Sequence, residues 1–285
     1  MTMTQIPHRI EAWGRSGFLL PALFLCAGLL LIALPQSRYF SAIPGDLGDP
    51  RFNGLILEHL FRWVRGLDES LWSPGFFFPY RGVLAFSDNH FGSGGIYVLL
   101  RAIGLSAETS YIGWFTAAFA INYACCYYAL RKFGISRLGS SIGAFVFSFA
   151  FPVINQGIHA QLGYRFAVPL AALAWMQFLD RGELRFLTRS IVWSTAQFFC
   201  SIYIGYFLLL LLGAFLVARY ANLARPPALP PPHRLAVGML RGIDGRHVLR
   251  NAAVILVCGV ALALLFYPYV HYSSVYGFAR DPGEI

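Results

Sequence analysis

Two aspartates three residues apart, Asp46 and Asp49 in Gly45-Asp46-Leu47-Gly48-Asp49-Pro50, are the residues whose type and setting most suggest chemistry. They follow an apolar run free of charge, and a carboxylate beside a membrane can act as general base toward an incoming hydroxyl. Each also has a plainer reading. Asp49-Pro50 is a helix-start pair, because Asp can cap orphan amides and Pro suits the first helical position. Asp46 reads otherwise as a solvated loop acid. With capping assigned to Asp49, the residue pattern leans toward Asp46 as the base.

A second cluster is Ser87-Asp88-Asn89-His90. Asp88 and His90 could share proton transfer, or hold a divalent cation with Asp46 or Asp49. No fixed ligand spacing identifies the metal, and no other cofactor is indicated. The plain reading has Ser87 or Asp88 capping the next helix and His90 at the interface. His159, Gln161 and Arg165 form a third cluster, where Arg165 suits a phosphate or else snorkels from a helix mouth. Arg81 and Arg101 are further phosphate candidates, while Glu58-His59 reads as part of a solvated helix face. There is no Gly-rich nucleotide loop and no H-E-x-x-H pair.

These residues hang on a membrane chain. In 285 residues, 57% are hydrophobic and only 12% charged, which does not describe a soluble surface. A helical crossing needs about 20 apolar residues. Candidates are Phe18 to Pro35, Tyr111 to Leu130, Leu138 to Asn155, Phe166 to Leu179, Asn251 to Val270, and the run Ser190 to Ala218. The formal charge of +9 is scattered between apolar runs, which argues against nucleic acid. The five cysteines lie inside those runs and show no zinc or redox spacing.

The expected fold is an all-α polytopic membrane bundle of about seven transmembrane helices, one domain over residues 1–285. Residues 36–110 form a long first outer loop with two amphipathic surface helices, Arg51 to Arg65 stopped by Gly66, and Phe91 to Ile103. The first of these presents Phe52, Leu55, Leu60 and Trp63 on one face, with Glu58 and Arg62 paired on another. The 29 uncharged residues from Ser190 to Ala218 would make a helix of roughly 43 Å. That is long for one pass and short for two; a turn near Ser201 to Gly205 divides it, with the first arm starting near Phe186. Residues 221–248 read as a cytoplasmic, Pro-rich basic linker. On this topology 14 basic and 4 acidic residues lie inside, against 8 and 9 outside, as the positive-inside rule asks. The N-terminus is cytoplasmic and its first helix is retained rather than cleaved. Asp281-Pro282-Gly283-Glu284-Ile285 resembles no closing element, so the C-terminal part of a longer protein is expected to be missing.

The layout resembles the multi-spanning GT-C glycosyltransferases, the lipid-linked sugar transferases that include protein mannosyltransferases and aminoarabinose transferases. The resemblance rests on a first helix, an outer loop opening with Gly45-Asp46-Leu47-Gly48-Asp49-Pro50, surface helices, and a crossing with the basic turn Arg131-Lys132-Phe133-Gly134. It is closer to a group of bacterial membrane proteins similar to that superfamily, through Phe78-Pro79-Tyr80-Arg81-Gly82-Val83-Leu84-Ala85-Phe86-Ser87-Asp88, Phe145-Val146-Phe147-Ser148-Phe149-Ala150 and His159-Ala160-Gln161-Leu162. It covers roughly residues 15 to 220. The resemblance implies a bacterial inner-membrane enzyme with its active site outside, a polyprenyl-phosphate sugar donor, a glycan, lipid or protein acceptor, and a base in the first outer loop. Only Asp46 and Asp49 inherit that role. The spacing here is Asp-x-x-Asp rather than the family's usual Asp-Glu or Asp-x-Asp, and His159 and Gln161 stand where a later acid is often found.

Two other classes remain beside the transferase. A transporter or flippase for a lipid-linked glycan would need charged or broken helices at the midplane, and the crossings carry few charges. A scaffold subunit of envelope glycan assembly would need no catalytic loop at all.

Overall fold

The computed structural model describes residues 16–150, 159–221 and 245–277, and among these the chain is all-α. Residues 222–244 of the linker expected over 221–248, the last residues of the chain, Arg9, Arg15 and the end of the helix expected to reach Asn155 lie outside the described residues, while 245–248 are helical rather than linker. Helix α1 (Ser16–Gly28) runs on through a π segment, Leu29–Ala33, and a closing turn, Leu34–Gln36. Then come α2 (Asp49–Val64), α3 (Phe91–Ala102), α4 (Ala107–Lys132), α5 (Arg137–Phe149), α6 (Ala167–Arg181), α7 (Leu184–Cys200), α8 (Ile202–Tyr220) and α9 (Gly245–Tyr276). Among the described residues, four stretches are long and apolar enough to cross a membrane: Gly17–Gln36, Ala160–Arg181, Ile202–Arg219 and Gly245–Tyr276. The molecule is a polytopic membrane helix bundle.

The long apolar run divides where a turn is expected. Ser201 is extended, with φ −160° and ψ 125°, and separates α7 from α8. Its hydroxyl accepts from the Ile204 amide, while the Ile202 amide turns away to Asp88 Oδ1 at 2.8 Å. A carboxylate from a distant loop thus satisfies an amide that α8 leaves orphaned at its start. Helix α3 has 12 residues, or about 18 Å, short of the ~30 Å hydrocarbon core.

The start of α2 differs from the sequence reading. Gly48 is the N-cap, Asp49 is the first helical residue, and no side chain caps the helix. Instead Asp46 Oδ1 accepts from the Gly48 amide at 2.9 Å, an Asx turn that shapes the approach to the helix. So Asp46 holds the structural job and Asp49 is left free of it. The buried face of α2 is also rotated: Asn53, Ile56, Leu57, Leu60 and Phe61 face inward, whereas Leu55 and Trp63 are exposed. Glu58 pairs not with Arg62 but with Arg101 Nε at 2.9 Å and Nη2 at 3.0 Å, and it accepts from the Tyr97 hydroxyl. Burial raises the Glu58 carboxyl, but the hydrogen bonds from Arg101 and Tyr97 outweigh it and hold it below the ordinary range. Arg62 takes Asp68, and buried His59 bonds Asp68 Oδ2 and the Leu71 carbonyl rather than facing solvent.

Contacts sort the turns onto two ends of the bundle. At one end the 45–50 and 159–165 loops meet, Asp88 reaches Ser201 and Ile202, and Tyr269 of α9 donates to the Ser87 carbonyl at 2.9 Å. Tyr276 there donates to the Arg81 carbonyl and accepts from its amide, both at 3.0 Å. Gly82, at φ +68°, lies flat against the Tyr272 ring, where no side chain would fit. At the other end Asp180 pairs with Arg219 at 2.7 Å, and Gly17 abuts the Arg137 guanidinium. Between the ends, Trp114, Phe115, Phe119, Tyr123, Phe149 and Tyr164 form an aromatic core between α1, α4, α5 and the 159–165 loop.

Candidate functional site

Asp49 is set at the first turn of α2 with its carboxylate half exposed, at 48%. Its Oδ2 lies 2.7 Å from Nδ1 of His159, which is equally exposed, and 3.4 Å from Nε2 of Gln161. One turn along the same face of α2, Asn53 is 1% exposed and donates from Nδ2 to Gln161 Oε1 at 2.8 Å. Its Oδ1 lies 2.8 Å from His90 Nε2.

This amide geometry fixes the polarity of the chain. Because Asn53 Nδ2 donates to Gln161, its Oδ1 must accept, so His90 carries its proton on Nε2. Gln161, accepting at Oε1, then donates at Nε2, and His159 donates from Nδ1 to a carboxylate that only accepts. Every link from His90 through Asn53 and Gln161 therefore runs toward the Asp49 carboxylate. His90 is fully buried, with its Nδ1 unpartnered and its ring edge-on to Trp114 at 5.4 Å. Burial pushes its imidazole down to about 4, so it is neutral near pH 7.

The loop carrying His159 and Gln161 is fixed from behind. Ala160–Leu162 forms a 3-10 turn. Asn122 of α4 donates to the Gly163 carbonyl at 2.8 Å and accepts from the Arg165 amide at 2.9 Å. The Tyr164 hydroxyl donates to the Trp114 carbonyl at 2.6 Å, and Gln197 donates to the Tyr164 carbonyl at 2.9 Å. Asn122 comes from α4 and Gln197 from α7, and Tyr164 reaches back from the loop to α4, so the loop is a fixed rim.

Under that rim Trp114, Phe119, Asn122, Gly163 and Arg165 line a cavity of about 20 Å³. That is room for a water molecule and not for a sugar ring. The Arg165 guanidinium stands over the Phe147 ring at 5.6 Å, and its Nε and Nη2 have no partner. Two unused N–H groups in an aromatic setting are the makings of an anion contact.

The residues singled out in the sequence thus separate. Asp49, His159, Gln161 and His90 come together, and Arg165 sits on the same loop as His159. Asp46 is engaged in its Asx turn. Arg81 is tied by its backbone to Tyr276, with its side chain exposed. Asp88 is buried, its oxygens taken by the Ser201 hydroxyl at 3.0 Å and the Ile202 amide; burial raises its carboxyl and those bonds pull it partly back. It therefore anchors α8 rather than capping α3. Arg101 is occupied by Glu58. Among the described residues no three His, Cys, Asp or Glu side chains converge as a metal site, so Asp46, Asp49, Asp88 and His90 do not form the cation site considered from sequence. Asn53 and Asn122 were not singled out in the sequence; a polar amide four residues after Asp49, on one helix face with it, was the available signal for the first. Gly139-Ser140-Ser141-Ile142-Gly143 spells a nucleophile-elbow pattern. Ser141, however, is buried inside α5 and donates to the Arg137 carbonyl at 2.9 Å, not at the strand-to-helix turn that chemistry needs.

Comparison of the chain with models of known protein families, with characterised proteins and with solved structures found no match.

Proposed function

We propose that this chain is a bacterial inner-membrane glycosyltransferase that moves a sugar from a polyprenyl-phosphate donor to a glycan, lipid or protein hydroxyl at the outer face. The observation that carries the reading is the half-exposed Asp49 carboxylate, held by His159 and backed by the Gln161–Asn53–His90 chain at one end of a membrane bundle. In this reading seven helices cross, α2 and α3 lie on the outer surface, and the Asp49 end faces the periplasm.

Asp49 takes the proton of the acceptor hydroxyl as its oxygen bonds to the anomeric carbon. The bond from that carbon to the phosphate oxygen breaks, and polyprenyl phosphate leaves with the electron pair. Arg165, on the same loop as His159, has its Nε and Nη2 buried beneath the rim without partners, and its positive charge there favours the growing phosphate charge at a distance. His159 Nδ1–H holds the Asp49 carboxylate in place, and the proton that Asp49 gains leaves to solvent, which the exposure of both side chains allows. Asp46 shapes the loop, and Asp88 and His90 are buried and support the surrounding structure rather than touch the sugar; Arg81, whose side chain is exposed, stays a candidate contact for the donor phosphate. The donor sits over the exposed Asp49 face, because the cavity behind it is too small.

The test is transfer by the full-length protein in proteoliposomes from a polyprenyl-phosphate sugar to added acceptor, together with labelling of a cysteine placed at position 159. Sugar transfer and labelling from the outer side support the reading. No transfer with any of a panel of donors, or labelling only from the cytoplasmic side, overturns it and leaves the scaffold or transporter class.

A further inference from the structure

Among the described residues, a dense cluster of positive charge lies at the end of the bundle opposite Asp49. Helix α6 ends at Arg181, Gly182 turns the chain at φ +69°, and α7 begins at Leu184. A left-handed residue at that point is what glycine supplies without strain. The tight turn brings Arg181 back over the first turns of α7, where Arg185 and Arg189 stand four residues apart on one face.

All three guanidiniums gather on one buried ring. Arg181, Arg185 and Arg189 lie 5.4, 4.8 and 5.6 Å from the centroid of Phe186. Phe186 is buried against Phe178 and Leu179, so the platform is fixed. The arginines themselves are exposed. Stacking on a ring orders the planar forks in advance, which lowers the cost of binding an anion bidentately. Against these three cations stands one carboxylate, Glu183, 2.6 Å from Arg185. The neighbouring Asp180 is already engaged by Arg219. The patch therefore carries two uncompensated positive charges. Its height is equally telling, because the apolar stretch Ala160–Arg181 ends on the first of these arginines. That is where lipid phosphates lie when such a stretch spans the bilayer.

We infer that Arg181, Arg185 and Arg189, stacked on Phe186, form a binding site for the headgroup of an anionic phospholipid. The site is separate from Asp49 and independent of the reaction proposed there. Free phosphate shares the headgroup chemistry but lacks the acyl chains that the adjoining apolar helices would cover.

The test uses the purified full-length chain in zwitterionic detergent, with bound lipid counted by native mass spectrometry. Phosphatidylglycerol, the doubly charged diphosphatidylglycerol, phosphatidylcholine and inorganic phosphate are titrated separately. The anionic lipids should be retained over phosphatidylcholine, and the preference should fall as salt rises. Replacing two cations, Arg185→Gln with Arg189→Gln, should weaken the preference about 30-fold, near the strength of two surface arginines. Arg131→Gln with Lys132→Gln, at a different turn, should leave it unchanged. Equal retention of phosphatidylcholine, equal competition by inorganic phosphate, or an undiminished preference in the Arg185/Arg189 variant would overturn the site. Should that variant not fold, the salt series on the native chain decides: a preference that survives 1 M salt contradicts it.

Discussion

His159 Nδ1 lies 2.7 Å from Asp49 Oδ2 across 110 residues of sequence, joining the 159–165 loop to the first turn of α2 at this end of the bundle. The pair forms because two independent devices converge. The Asp46 Asx turn sets the start of α2, and Asn122, Tyr164 and Gln197 pin the 159–165 loop against α4 and α7.

If His159 and Asp49 act as a unit, their losses do not add. In a cycle of Asp49→Asn, His159→Ala and the double variant, transfer by the double variant should match the worse single within a few-fold. Multiplying effects would show that the two residues work separately.

Asn53 bridges the buried and exposed halves of the network. Asn53→Leu would leave the His90 Nε2–H and Gln161 Oε1 without partners, one of them fully buried. The expected cost is about 2–6 kcal/mol, from two lost partners at ~1–3 kcal/mol each. Thermal unfolding of the purified protein in detergent reads this directly; a melting temperature within a degree of wild type would mean the amide is not needed.

His90 gives stability a pH dependence of known sign. Its folded value, about 4, lies below the ordinary 6.5, so the unfolded chain binds the proton more readily. Its contribution is whole above 6.5 and is lost as pH falls from 6.5 toward 4. Between pH 7 and pH 5 this amounts to about 2 kcal/mol at 1.36 kcal/mol per unit. Asp88 runs the other way: its carboxyl is raised, so its contribution grows as pH falls through its folded value toward the ordinary 3.8. The His90 part is isolated by the difference between wild type and His90→Gln, which should lose most of the fall between pH 7 and 5. Parallel curves for the two proteins would refute a neutral buried imidazole.

Asp88 separates charge from hydrogen bonding. Asp88→Asn keeps an acceptor for the Ile202 amide and removes a buried charge, so it should be nearly neutral in stability at pH 7. Asp88→Ala leaves the amide and the Ser201 hydroxyl unpartnered and should cost about 1–3 kcal/mol. Thermal melts of both variants give the comparison, and equal losses would show that the charge itself is what α8 requires.

Much of the architecture was legible in the chain because apolar length and charge placement are local signals. The division of the apolar run at Ser201, the start of its first arm near Phe186, the helix stopped by Gly66 and the short α3 all follow from them. The roles of the two acids were not. Asp-Pro reads as a cap, yet Asp46 shapes the entry and Gly48 takes the cap position, because an Asx turn two residues long competes with the capping geometry. The partners of Asp88, Glu58 and His59 lie on elements far away in sequence or across a turn, and periodicity carries no information about them. Asn53 was hidden for a further reason: an amide on a helix face looks inert until the loop that completes it is in place.

The most direct measurement is sugar transfer from a polyprenyl-phosphate donor by Asp49→Asn beside Asp46→Asn, both folded and reconstituted at equal density. The account predicts a fall in kcat of about 10²- to 10⁴-fold for Asp49→Asn, the usual worth of a general base, and a much smaller change for Asp46→Asn. Undiminished turnover in Asp49→Asn, or a loss confined to Asp46→Asn, would contradict it.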